Sequence, residues 1–237
     1  MFAQSLSIYC EDDTPLQFVG ANGKLTGFTI EIVQEIQKRV GNTDEIHMVP
    51  WARGLGHLNT ESNSLLFTMA RTAERDAQFQ WIGPIIETTY GFYVKAGSAL
   101  VINSLEDAKR VGLIGVYRDD VRDQFLTRQG FTNLDRANSN VSSFRKLMLG
   151  RNAMYVDSPM GVKSLAEKAG YQLADVRVVY NFFKIQLYIA ASKNMDSTIV
   201  AKWNAALENM KKDTVFMRIH KKYFPDLALP GPAITKF

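Results

Sequence analysis

Polar and apolar positions alternate over residues 5–10, placing Leu6, Ile8 and Cys10 on one face, and this period of two predicts a strand. Residues 18–25 carry Asn22-Gly23 between apolar flanks; both residues tolerate positive φ, so a tight hairpin is expected there. The period then changes to 3.6. Ile32, Val33, Ile36 and Val40 form one stripe, with Thr29 as the expected cap and Gly41 as a left-handed stop. Further on, short apolar runs at 47–50, 65–70, 91–95, 111–116, 153–156 and 176–180 predict strands. Helices are expected after Ser104, over 121–128, over 142–149 before Gly150, and from Ser158-Pro159 up to Gly170. Two amphipathic helices close the chain, through Val200, Trp203, Leu207 and Met210, then Phe216, Ile219 and Tyr223. Strands alternating with helices across short loops predict an α/β fold, with no internal repeat and no low-complexity linker.

Composition narrows the function classes. The chain has 237 residues, 46% apolar and 22% charged, enough for a substantial core in one large domain or two lobes. Lysine and arginine exceed aspartate and glutamate by 28 − 24 = 4, and only Lys211, Lys212, Arg218, Lys221 and Lys222 gather near one end, so nucleic acid is not an expected partner. Cys10 is the single cysteine, which excludes an internal disulfide and any multi-cysteine metal centre. On its apolar face it reads as a buried small hydrophobe. No apolar run approaches the ~18 residues of a membrane span. The start Met1-Phe2-Ala3-Gln4 has no basic segment and no apolar signal core, as expected of a mature secreted chain given an initiator Met.

Familiar chemical motifs are missing. Gly20 to Leu25 has the wrong spacing for a phosphate loop, and Gly54-Leu55-Gly56 lacks the third glycine of a dinucleotide fingerprint. His47, His57 and His220 do not share a metal-ligand spacing, and no Gly-x-Ser-x-Gly elbow occurs, so neither a metal nor a cofactor is expected. What remains are polar and aromatic residues at predicted strand ends, where open α/β sheets present ligand sites. Four clusters qualify: 11–15 (Glu-Asp-Asp-Thr-Pro), 50–53 (Pro-Trp-Ala-Arg), 68–75 (Thr-Met-Ala-Arg-Thr-Ala-Glu-Arg) and 155–158 (Tyr-Val-Asp-Ser).

The collinear order of PLQFVGANGKLTGFTIEIVQEIQKRVG, VPWARGLGHLN, FTMARTAERDAQFQWIGPI, IGVYRDDVRDQFL, GRNAMYVDS and LYIAASKN resembles the bacterial family 3 extracytoplasmic solute-binding proteins. These are the amino-acid-type receptors of ABC importers. The resemblance implies a two-lobe periplasmic-binding-protein-like fold (type II) with two crossovers forming a hinge. Lobe one would be 1–89 plus 188–237, and lobe two 90–187. It further implies a monomeric periplasmic receptor without catalytic activity, whose partners are a small polar solute and a membrane permease.

The resemblance also places the site. Arg75 falls where the family grips a ligand carboxylate, with Thr68, Met69 and Ala70 at the contacting strand end and Arg71 and Arg53 as further anion contacts. Asp157 falls where the family receives a ligand amine, and Trp51 offers an aromatic wall. The chain departs from the pattern at Asp13 and Leu16, where aromatic residues are usual. It departs again at Asp119-Asp120, preceded by Tyr117-Arg118, where a Gly-Thr pair usually helps hold the carboxylate. Two acids at a helix start suit its dipole and repel an anion, so a more cationic amine compound or a non-amino-acid solute competes with a standard α-amino acid. Related two-lobe proteins include cyclohexadienyl-type dehydratases, for which Asp13 or Asp157 would serve as the acid, and ligand-sensing modules of signalling receptors.

Overall fold

The computed structural model of the chain describes residues 5–234, so the Met1-Gln4 start lies outside the described residues. In chain order the elements are β1 (Ser7–Cys10), β2 (Phe18–Val19), β3 (Leu25–Thr26), α1 (Phe28–Val40), β4 (Ile46–Met48), α2 (Trp51–Thr60), β5 (Ser64–Ala70), α3 (Ala73–Asp76) and β6 (Gln80–Lys95). Then come α4 (Leu105–Lys109), β7 (Ile114–Tyr117), α5 (Val121–Arg128), β8 (Leu134–Ala137), α6 (Asn140–Met148), β9 (Met154–Asp157) and α7 (Pro159–Ala169). The chain ends with β10 (Val176–Ala191), α8 (Ser197–Lys212) and α9 (Val215–Tyr223). Two units divide it: unit 1 comprises Met1–Glu87 and Gln186–Phe237, unit 2 comprises Thr88–Ile185. The chain passes from one to the other within the 16-residue strands β6 and β10.

In unit 1 the strand order is β4-β1-β5-β10. β1 runs parallel to β4 and β5, with Ile8 opposite Ile46 and Leu65, and β10 adds antiparallel through Leu187↔Ala70 and Ala191↔Leu65. The stripe of α1 buries Ile32, Val33 and Ile36, and Phe28 meets the rings of Phe216 and Phe224 edge-on. Each such side chain stabilises by roughly 1.5–3 kcal/mol relative to exposure. In unit 2 the order is β6-β9-β7-β8, with β9 and β8 parallel to β7. Successive strand residues point to opposite faces. Phe92, Val94, Met154 and Val156 accordingly join one apolar cluster with Ile114, Val116 and Leu126, while Tyr93 and Tyr155 join another with Phe144, Leu147 and Val162.

Several expectations need correction. Thr29 does not cap α1: Gly27 holds that place, and the Thr29 hydroxyl is buried against the Leu16 carbonyl at 2.8 Å. A Cβ at Gly27, at φ 125°, would overlap that same carbonyl group. The α6 helix begins at Asn140, two residues before the expected start, because Ser139 caps it by accepting from the Ser142 N–H. The runs at 91–95 and 176–180 are only parts of β6 and β10, and the run at 111–116 becomes strand only from Ile114.

Candidate functional site

Because β1, β4 and β5 run the same way, their C-terminal ends share one edge of unit 1, and the three clusters of that unit emerge there. The chain turns from β5 into the short α3, and this turn folds Arg75 back so that its Nη1 donates to the Ala70 carbonyl at 3.4 Å. Arg75 is 6% exposed. Pro50 pre-sets the entry to α2, whose first residue, Trp51, lies with its ring centroid 5.7 Å from the Arg75 guanidinium carbon. The structure thus brings together a buried cation and an aromatic face from two separate clusters. Trp51 Nε1 and Thr72 Oγ1 are buried and lack a hydrogen-bond partner among the described residues. Buried donors are nearly always satisfied, so these two orphans, one of them on the ring that faces the Arg75 guanidinium, suit an acceptor that arrives from outside the chain.

Thr68, two residues before the end of β5, has φ 63°, a left-handed value that is costly for a β-branched residue. Its hydroxyl donates to the Phe67 carbonyl at 2.6 Å and accepts from Gln17 Nε2 at 2.8 Å, and Gln17 Oε1 in turn accepts from Thr29 at 2.7 Å. Gln17 is fully buried, so this chain of bonds ties the first cluster, α1 and the end of β5 together. Sequence reasoning missed Gln17, since one neutral polar residue between Leu16 and Phe18 gives no signal. Met69 and Ala70 are buried in the β5 pairing with β10. Asp13 forms a turn, its carbonyl accepting from Leu16 and Gln17 N–H groups.

The two other arginines of these clusters are placed differently. Arg71 donates to Asp76 at 2.6 Å and lies over the rings of Trp81 and Tyr188 at 5.7 and 5.6 Å. Arg53 is exposed on α2 and lines a cavity of about 610 Å³ with Tyr9, His47 and His57. There His57 stacks on Tyr9 at 4.6 Å and its Nδ1 is 2.7 Å from Glu61. Cys10 is buried on β1, and burial, with Glu11 and Asp12 nearby, pushes its thiol up to about 12, which disfavours the thiolate.

In unit 2, Tyr117 ends β7 and Arg118 is exposed, donating to Asn138 at 2.9 Å and to the Arg136 carbonyl. Asp119 turns through φ 61°, and Asp120 caps α5 by accepting from the N–H groups of Arg122 and Asp123 at 2.9 and 3.0 Å. The second Asp120 oxygen accepts from Arg122 Nε. Arg122 then reaches across to β9: Nη1 is 3.0 Å from Asp157 Oδ2, Nη2 donates to Asn140 at 3.1 Å, and the guanidinium lies 5.5 Å from the Tyr90 ring centre. Asp157 also accepts from Tyr155 Oη at 3.0 Å and from the Ser158 N–H at 2.7 Å. A Cβ at Gly161, in the first turn of α7, would overlap the Asp157 carboxylate, so the glycine makes room for it. Burial alone would lower Arg122, but Asp120 and Asp157 hold it well above its ordinary value. Burial raises Asp120 despite the opposing pull of Arg122, and raises the Tyr155 hydroxyl, with Asp157 adding to it. Sequence reasoning missed Arg122. The available signal was a cation in the first turn of a helix, an unfavourable position unless acids pair with it.

Among the described residues, no group of three His, Cys, Asp or Glu could hold a metal ion, and no helix is long and apolar enough to cross a membrane. Compared with known proteins, residues 6–226 match the profile of the bacterial extracellular solute-binding proteins, family 3. The L-cystine-binding protein TcyJ of Escherichia coli (strain K12) is 24% identical over 226 residues, covering 94% of this chain and 80% of that protein. Among solved structures, an ancestral arginine-binding protein bound to arginine superposes with a TM-score of 0.82 at 26% identity, covering 94% of this chain and 100% of that one. A histidine kinase sensor domain with similarity to periplasmic binding proteins gives 0.85 at 19% identity, covering 95% and 99%.

Proposed function

Since the chain belongs to the bacterial extracellular solute-binding proteins, family 3, we propose that it is the receptor of an ABC importer, capturing a small carboxylate-bearing polar solute of the amino-acid type. The observation that carries this reading is the Arg75–Trp51 pair, with the orphaned Trp51 Nε1, at the C-terminal edge of β1, β4 and β5. A desolvated guanidinium grips a carboxylate bidentately, contributing roughly 1.5–3 kcal/mol, while Trp51 walls the solute. The amino-acid names borne by the cystine-binding relative and the arginine-binding structure support the solute class. In this reading the receptor works in the periplasm as a monomer, does no chemistry on its solute, and presents the loaded form to a membrane permease. The strands β6 and β10, the two passages between units, act as the hinge, and solute shifts the population toward a closed state.

A thermal-shift screen of amino acids and their deaminated acids tests the reading, because a solute at 100 times its Kd adds roughly 2.7 kcal/mol to stability. At least one carboxylate solute is expected to bind and to reduce the radius of gyration in solution scattering. Arg75→Ala should weaken that binding more than tenfold. Affinity within twofold of wild type would show that the anion is held elsewhere, and no stabilisation by any member of the screen would overturn the solute class.

A further inference from the structure

Helix α2 turns Trp51, Gly54 and Leu58 inward. A Cβ on Gly54 would stand only 3.0 Å from Leu66 Cδ1, so the glycine lets α2 lie close over β5 and leaves β4, the outermost strand of unit 1, at its side. Tyr9 of β1 is paired with His47 of β4, and paired residues of neighbouring strands project from the same face of a sheet. Arg53 and His57, one helical turn apart, share one flank of α2. These four side chains line the cavity of about 610 Å³, which lies within the ~300–1,000 Å³ range of small-molecule sites. Val19 and Leu25 of the β2–β3 hairpin and Ile46 of β4 add aliphatic walls, and Val19 is 55% exposed at the rim. Every lining residue belongs to unit 1, and neither Arg75 nor Trp51 is among them.

The lining is electrostatically one-sided. It holds a guanidinium and two imidazoles, and no carboxylate among the described residues. Glu61 is engaged by the rings instead, accepting from His57 Nδ1 at 2.7 Å and from the Tyr9 hydroxyl at 3.3 Å. An ionised carboxylate only accepts, so Nδ1 carries a proton and the other ring nitrogen, Nε2, is uncommitted. Among the described residues, the side chains of Arg53 and His47 have no hydrogen bond and no ion pair. Tyr9 and His57 stack at 4.6 Å and 11°, while His47 leans toward Tyr9 at 6.1 Å and 44°. Two ring planes meeting at such an angle form a wedge that a third planar ring can enter.

We propose that this cavity is a second solute site, taking an aromatic carboxylate: the ring packs between the Tyr9–His47 wedge and the aliphatic walls, and the carboxylate meets the Arg53 guanidinium. A free fork of donors suits a carboxylate bidentately, and no acid in the lining opposes it. The site is independent of the carboxylate reading of Arg75.

The test is a titration of the full chain with benzoate, followed through the imidazole Cε1–H proton resonances. The chain has 3 histidines, and His47→Gln and His57→Gln assign the signals. Those of His47 and His57 should shift saturably in the millimolar range, whereas that of His220, fully buried against Phe28, Phe216 and Phe224, should stay in place. Benzamide, which lacks the charge, and acetate, which lacks the ring, should each bind at least tenfold more weakly than benzoate. Arg53→Ala should weaken benzoate by at least tenfold, and because Arg53 is exposed its loss leaves folding intact. Unmoved His47 and His57 resonances would overturn the proposal. So would benzoate binding Arg53→Ala as tightly as wild type, or benzamide or acetate matching benzoate. Abolition of the shifts by Arg75→Ala would assign the acid to that other guanidinium and equally end the proposal, whereas failure of every solute at Arg75 would leave these resonances free to respond.

Discussion

Replacing Thr68 by Ala, and separately by Gly, pulls apart two energies that the threonine combines. At φ 63° an L-residue bears roughly 1–2 kcal/mol of left-handed strain, which glycine escapes. Glycine in turn loses roughly 0.5–1 kcal/mol more chain entropy on folding. Both variants remove the hydroxyl that accepts from Gln17 Nε2, leaving a fully buried amide short of a partner at a cost of roughly 1–3 kcal/mol. Thr68→Ala should therefore lose about 2 kcal/mol, and Thr68→Gly about 0.5–1 kcal/mol less than that. Urea unfolding followed by circular dichroism, with the slope held common to the three proteins, reads these differences. Thr68→Gly proving less stable than Thr68→Ala would mean that the backbone is not held left-handed in solution. Losses below about 0.5 kcal/mol in both would mean that the Gln17 bond does not form.

A contrast of glycines tests the packing around Asp157. Gly161→Ala should cost about 1–3 kcal/mol because its Cβ collides with the carboxylate, whereas Gly56→Ala, with nothing within 4 Å in α2, should gain about 0.5–1 kcal/mol; thermal unfolding showing the same sign for both would refute the close approach. His220 is fully buried beside Phe28, Phe216 and Phe224 with neither ring nitrogen bonded among the described residues, and burial, then Lys221, lowers its pKa. The folded chain therefore favours neutral imidazole, so this contribution is complete above the unfolded value of about 6.5 and is lost as pH falls through the lower folded value. His220→Phe should flatten the loss of urea midpoint between pH 7.5 and 5 (about that window, by the same linkage); an unchanged slope would assign it to other groups. Cys10 should resist alkylation at about pH 8 in the folded protein and react once unfolded, and prompt labelling of native protein would contradict its burial.

Helices announced by capping chemistry were legible in the sequence. Ser104 and Ser158 cap as their spacing indicated, Gly41 and Gly170 stop helices in the left-handed conformation, and residues 121–128 match α5. Helix α2 was not legible, because Gly54 and Gly56 weaken its helical pattern. Strand β8, Leu-Asp-Arg-Ala, has no β-branched residue and gave no signal. In the site, the clusters holding Trp51 and Arg75 stood out by residue type at strand ends, and the family resemblance then singled out Arg75. Their meeting depends on the turn after β5, and the bonds of Gln17 and Arg122 join residues far apart in sequence, which periodicity does not register.

Unit 1 is interrupted in sequence by the whole of unit 2. A ribosome therefore delivers every strand and helix of unit 2 before it delivers the second half of β10, α8 and α9. Until those last segments emerge, β5 lacks its antiparallel neighbour, and α1 lacks α8 and the Phe216 ring to cover its apolar stripe. A premature stop within 186–234 would thus spare the later-starting unit and strand the earlier one with a bare sheet edge, open to pairing with other nascent chains.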